Sequence, residues 1–326
     1  MNLHLARTSC FAALLFSSFA SLALAAETTE TTSTPASAAA EAPASGEKHL
    51  LRYKFAMGEV LRYDVKHSTK TRNNMEGVSE QVETASESVK SWKVMDVLPN
   101  GEMQFMHVVE WVKMSNQSPD LPANKFDSRS KDPIPHGFET ASRAIGIPLS
   151  ILRIAPDGKV TFREQKHPQP KAQEDMPITL GLPEAEIAIG EKWSHPYDVT
   201  VQRKNGSGLQ IQTRRVCKLR DVKNGVAVID VEYQILTPVD PYVRAQLVER
   251  LTDGTVRFDI AKGRIIAQEH NVDKRILGFA GKASSMHFVS RLQERLLPSE
   301  VKEVKEVKSE VQQASAVIET KPAAKK

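Results

Sequence analysis

From Gly101 onward the chain alternates. Met103, Phe105, His107, Val109 and Trp111 occupy one parity, while Glu102, Gln104 and Glu110 fall in the other. After Gly225 the pattern recurs: Ala227, Ile229, Val231, Tyr233 and Ile235 stand against Asp230, Glu232 and Gln234. A period of two with one apolar face predicts a half-buried strand. Asn100-Gly101 and Asn224-Gly225, just ahead of each run, predict tight hairpins with positive φ at both turn residues.

The flanking segments repeat in the same order. Leu51, Tyr53, Phe55 and Met57 alternate up to Gly58-Glu59, followed by Leu61, Tyr63 and Val65; the second set reads Ile187, Ile189, Gly190-Glu191, Trp193 and Tyr197-Asp198-Val199. Polar turns follow at 73–77 and 205–208, with return strands ending in Asp96-Val97 and Asp221-Val222. Downstream, Phe138, Ala141 and Ile145 have helical spacing. So do Val243, Leu247 and Leu251 behind the cap and first-turn proline Asp240-Pro241. Each half then reads strand, turn, strand through Asp157-Gly158 or Lys262-Gly263, with Glu164 and Glu269 each six residues past the glycine. The expected fold is α+β and mainly antiparallel, with two tandem repeats of a curved sheet and a short helix packed on each. Residues 284–297 fit a helix face or a last hairpin strand, and the preceding glycine turn favours the strand.

The ends differ in composition. Residues 1–25 hold Arg7 as their sole full charge, an apolar run from Cys10 to Leu24, and Ala23-Leu24-Ala25. That pattern predicts a Sec-type signal peptide, hence a periplasmic or extracellular protein with no transmembrane segment after cleavage. Residues 26–46, rich in Thr, Ser, Ala and Pro, predict a disordered tether. The first β-rich repeat is assigned to 47–167, a linker to 168–181, the second repeat to 182–297, and a charged low-complexity tail to 298–326. From a formal charge of +4, loss of Arg7 leaves +3, and of two cysteines only Cys217 remains. A lone cysteine in an apolar parity is expected to be a buried hydrophobe.

Sought chemistry is mostly missing. The chain has no glycine-rich phosphate loop, no G-x-S-x-G and no H-E-x-x-H. Histidines are scattered singly, so no metal and no cofactor is expected. Glu164 with His167 and Glu269 with His270 sit at equivalent strand ends, and a pseudo-twofold packing would bring the acids together; solvated strand-end charges are the plainer reading. The basic stretch Arg214, Arg215, Lys218, Arg220 and Lys223 is divided over both faces by alternation, which argues against a nucleic-acid footprint.

Lys54-Phe55-x-x-Gly58-Glu59, Tyr63-Asp64-Val65, Gly254 to Asp259 and Gly263-Arg264-Ile265 resemble an uncharacterised family of exported bacterial β-rich proteins, a domain of unknown function. The resemblance implies a fold and no catalytic role. At the level of fold alone, sheet–helix–sheet units of this length are similar to half-barrel lipoprotein carriers, which implies a lipid or other apolar ligand. The reading is a non-catalytic binding module of the bacterial envelope for an apolar or amphipathic ligand. Its candidate ligand-binding residues are Phe105, His107, Val109, Trp111, Ile229, Tyr233 and Ile235, and plain core is the competing role for all seven. An envelope scaffold that contacts other proteins is the alternative, and a hydrolase has least support.

Overall fold

Turn chemistry sets the first hairpins. The computed structural model describes residues 46–119, 121–168 and 179–298. Strands β2 (Val60–Met75) and β3 (Val78–Val97) are joined at Glu76-Gly77, both at positive φ, a pairing whose twist matches the strands it connects. Asn224-Gly225 does the same between β10 (Gly208–Lys223) and β11 (Val226–Ile235). The other Asn-Gly behaves differently. Between β3 and β4 (Met103–Gln117) only Gly101 has positive φ, and its amide closes a turn onto the Leu98 carbonyl at 2.9 Å.

The remaining elements are β1 (Lys48–His49), β5 (Asn124–Asp127), α1 (Glu139–Arg143), β6 (Pro148–Ile154), β7 (Val160–Gln165), β8 (Ile187–Ala188), β9 (Lys192–Gln202), α2 (Pro241–Leu247) with a 3₁₀ turn over Val248–Arg250, β12 (Asp253–Asp259), β13 (Arg264–Leu277) and β14 (Ser285–Leu296). The protein is mostly antiparallel β, and the stretch 284–297 is strand. Twelve strands form one sheet in the order β7-β6-β4-β3-β2-β14-β13-β12-β11-β10-β9, with β5 added on β4; β1 and β8 pair separately. The two curved sheets expected from the sequence are therefore one. β2 and β14 join the halves, in register from Ser285↔Asn74 to Leu296↔Tyr63. The expected signal peptide, nearly all of the tether and tail, and most of the linker lie outside the described residues.

A single sheet has no second layer, so its apolar face must curl onto something. Here it curls onto residues 51–55, which alternate as a strand does and bury Leu51, Tyr53 and Phe55. The Tyr53 amide donates to the Pro156 carbonyl, in the β6–β7 turn, at 2.7 Å. The next amide, Lys54, donates to the Gly263 carbonyl, in the β12–β13 turn, at 3.0 Å. Carbonyls bonded to consecutive amides lie within about 10 Å of each other, whereas six strand spacings laid flat between β6 and β12 span about 29 Å. The sheet is thus rolled into a trough, and 51–55 plugs one end.

The main core surrounds this plug. Tyr53 meets Phe258 edge-on at 5.4 Å, Phe55 lies 6.1 Å from both Trp92 and Phe105, and Trp92 stacks on Phe105 at 4.7 Å. Leu180, Leu182 and Ile187 pack into the same core. The Leu182 amide reaches the Asp157 carbonyl, and the Tyr53 hydroxyl exchanges hydrogen bonds with the backbone of Leu180. Gly158, at φ +85°, allows this: a Cβ there would lie 2.5 Å from the Leu180 oxygen and 2.6 Å from the Tyr53 ring. Cys217 is wholly buried, and burial pushes its thiol up to about 12.

Both helices cover the inner face toward the open end. α2 is capped by Asp240, whose carboxylate accepts from the Val243 amide at 2.9 Å, and it buries Val243 and Leu247 on Val199, Val201 and Ile211. Val248 continues onto Val272, Ile276 and Phe288. α1 itself buries nothing; its flanks Phe138 and Ile145 pack on Val109, Val112 and Phe126.

One register error in the alternation matters. Glu110 is an extra residue in β4, because Lys90 pairs with Val109 and Val89 with Trp111. This β-bulge turns Trp111 to the outer face, where the Arg129 guanidinium stacks on it at 3.9 Å, and Val112 takes the inward place. Phe105→Ala is accordingly expected to cost about 3–5 kcal/mol in urea unfolding, and Trp111→Ala no more than about 2 kcal/mol, since it gives up half-exposed area and a cation–π contact. Equal losses would mean that Trp111 shares the core with Phe105.

Candidate binding site

Above the plug the inner face changes character. Lys90 and Glu294 share the inward register of Trp92 and Leu296, and their side chains meet at 2.7 Å with Glu294 only 5% exposed. The ammonium also lies 5.5 Å from the ring centroids of both Tyr63 and Trp92, which supply negative ring faces where water is excluded. The buried carboxylate holds the Tyr63 phenol protonated to well above its ordinary range, second only to burial itself.

Beside this pair runs a row of hydrogen-bonding groups with nothing to bond. Trp92, His107 and Ser150 are successive cross-strand partners on β3, β4 and β6. Among the described residues Trp92 Nε1, His107 Nε2 and Ser150 Oγ are sealed from solvent and lack partners, as does His195 Nε2 on the opposite wall. Burial, then the charges of Lys90 and Arg163, lowers the His107 imidazole to about 3. On β13, burial and then Arg215 lower His270 to about 4. His270 lies flat across Gly254, where a Cβ would come within 2.4 Å of its Nδ1. Arg215 itself is half-buried and shares the inward register of Cys217 and Leu219. Its side chain makes no hydrogen bond or ion pair among the described residues.

The seven candidate residues separate. Phe105 and Ile229 are fully buried in the main core. Val109 and Ile235 lie under the helices. His107 and Tyr233 face the trough in the polar row, and Trp111 is on the other side of the sheet. Glu164 and Glu269 do not converge. They stand on β7 and β13, six strand positions apart, and are engaged by Lys166 and by Arg291 respectively. Alternation missed Lys90, Arg215 and Glu294, although the signal was present: each is a charge in an otherwise apolar register.

The outer face carries a depression of about 1190 Å³ over β9–β14. It neutralises itself. Asp230 meets Arg220, Asp253 meets Lys274, Asp273 meets His287 and Glu269 meets Arg291. Among the described residues no group of three or more metal-ligating side chains occurs, and no helix is long and apolar enough to cross a membrane.

No family model matches the chain, and no curated protein matches it. Among solved structures it is similar to lipovitellin, described under lipid–protein interactions, with a TM-score of 0.43 and 12% identity over 75% of this chain and 26% of that one. The chain thus spans about a quarter of lipovitellin's length. A DUF1329 family protein from Desulfovibrio piger gives a TM-score of 0.13 and 9% identity, covering 72% of this chain and 85% of that one. At these scores neither likeness bears on what the chain binds.

Two measurements check the site. Lys90→Ala strands the Glu294 carboxylate and is expected to cost about 3–5 kcal/mol, while Lys90→Met with Glu294→Leu restores most of that loss; a harmless single variant would refute the buried pair. The histidines set a pH dependence. His107 and His270 are neutral in the fold, and both titrate near 6.5 when unfolded, so their contribution is complete above pH 6.5. It is lost as pH falls, because only the unfolded chain gains the protons. Stability is expected to drop between pH 6.5 and 5 by up to about 1.4 kcal/mol per pH unit for each histidine, and His270→Gln should flatten the slope. An unchanged slope would show that His270 already carries its proton in the fold.

Proposed function

We propose that this protein is a non-catalytic binding module for an amphipathic ligand, held in the trough above the plug. The observation that carries the reading is the unspent hydrogen-bonding capacity of the inner face: Trp92, His107, Ser150 and His195 each keep a sealed polar atom without a partner among the described residues. Such atoms cost free energy unless something bonds them. Half-exposed apolar side chains on the same face, among them Val65, Leu292 and Met114, offer a surface for an aliphatic part. The ligand's polar end meets the row, and its chain runs toward the open end between the helices. Export by a Sec-type signal, and action in the envelope, belong to the same proposal.

The domain reading is also proposed. Strands of the first half stand in the order β7-β6-β4-β3-β2 and those of the second in the order β13-β12-β11-β10-β9. This parallel order, together with the shared turn residues, supports an internal duplication with copies at 47–167 and 182–297. In this reading β14 is the added strand that joins them. A protein-interaction role is the second reading, favoured by the charged depression on the outer face.

Native mass spectrometry of the purified chain, before and after organic extraction, tests the first reading. Extra mass that extraction removes is expected, and the released compound identifies the cargo. A clean protein mass from several expression hosts would count against a carried ligand and favour the outer face as the working surface.

A further inference from the structure

Among the described residues, the inward-facing guanidinium of Arg215 makes no hydrogen bond or ion pair. Its cross-strand partners are His195 on β9 and Tyr233 on β11. Tyr233 is 8% exposed, and its phenol interacts with that of Tyr197. Tyr197 lies edge-on to Tyr233 at 5.9 Å. Burial pushes the Tyr197 phenol up to about 12, against the opposing pull of Arg215 and Arg250. The acids nearby are committed elsewhere. Glu294 is bonded to Lys90, and the charge of Glu249 acts on its neighbour Arg250. A half-buried cation beside two phenols and, among the described residues, in no ion pair with a carboxylate suits an anion.

We infer that Arg215, with the hydroxyls of Tyr233 and Tyr197, receives the anionic headgroup of a single-chain amphiphile, a carboxylate or a phosphate monoester. This rests on the binding reading above and names its ligand class. The α2 helix and its 3₁₀ turn roof this part of the trough, burying Leu247 and Val248 on the strands around it. They leave the chain of the ligand a route along the half-buried Leu292 toward the open end. The headgroup binds by charge-assisted hydrogen bonds, and no covalent step is involved.

The test is isothermal titration of the full chain with laurate, dodecyl phosphate, monolaurin and dodecyltrimethylammonium, each below its micellar concentration, with acetate and inorganic phosphate as chainless anions. Laurate or dodecyl phosphate is expected to bind at least tenfold more tightly than monolaurin, and the cationic amphiphile weakest. Arg215→Gln should remove that tenfold preference and leave monolaurin within twofold. Tyr233→Phe, which deletes one hydroxyl and keeps the ring, should reduce the preference about threefold, so the proposal stays testable if the arginine variant unfolds. Equal binding of laurate and monolaurin, unaltered by Arg215→Gln, would overturn the headgroup site and leave the carrier reading standing. If no amphiphile binds, both fall. Acetate or phosphate matching laurate would assign Arg215 to free anions and overturn the amphiphile.

Discussion

The fold depends on two adjacent amides. Tyr53 and Lys54 donate to carbonyls in hairpin turns that belong to opposite flanks of the sheet, and this tie forces a long antiparallel sheet to close on itself at one end. The enclosed side chains are mostly aromatic, so large areas leave water in a small volume, with edge-on and stacked ring contacts adding to the burial term. Arg52 fastens the same segment to the carbonyls of Pro183 and Glu184, and the ion pair of Arg264 with Glu59 fastens its far end. Without the plug, the apolar face of β2, β3, β4, β11 and β12 would have no partner layer, and a sheet with one bare apolar face does not persist in water.

The plug also decides where chemistry can sit. Around it the inward side chains are mostly apolar. Above it Lys90, Arg215, Glu294 and two neutral histidines face inward. Charges sealed in such an interior each cost several kcal/mol after relaxation, so this level of the trough must either pair them or keep them wet. Both solutions are present: Lys90 and Glu294 are paired and nearly sealed, and Arg215 is half-exposed. The histidines take a third course and give up their protons.

Much of the local structure was legible. The parity of Met103–Val109 and Ala227–Ile235, the cap at Asp240-Pro241 and the buried Cys217 all follow from residue type and spacing, because each depends on neighbours within one or two turns of chain. The pairing of β2 with β14 was not legible. Alternation tells which face a residue takes and is silent on which strand lies beside it; those two strands are some 210 residues apart in sequence, a separation estimated from Asn74 and Ser285. Trp111 was misplaced for a different reason. A bulge adds one residue to a run without changing its composition, so every position beyond Glu110 inverts while the pattern still looks continuous. The site was hidden by the same reliance on pattern: Arg215 reads as one more basic residue among five until its register with Cys217 and Leu219 is fixed.

The two faces solve the problem of polar side chains in opposite ways, and the contrast bears on function. On the outer face, acids and bases meet across neighbouring strands as exposed pairs, each worth little but together leaving few unanswered charges. The sheet's free edges are likewise blunted. β9 carries Pro196, which cannot donate to a further strand, and β7 is only six residues long. A surface finished in this way resists adventitious pairing. The inner face is unfinished by the same standard, since the indole of Trp92, the imidazole of His107 and the hydroxyl of Ser150 have no partner among the described residues. Groups held in fixed positions on strands are pre-organised for a polar partner. In the proposed reading the working surface lies inside the trough, where the plug provides the floor and Arg215 the charge.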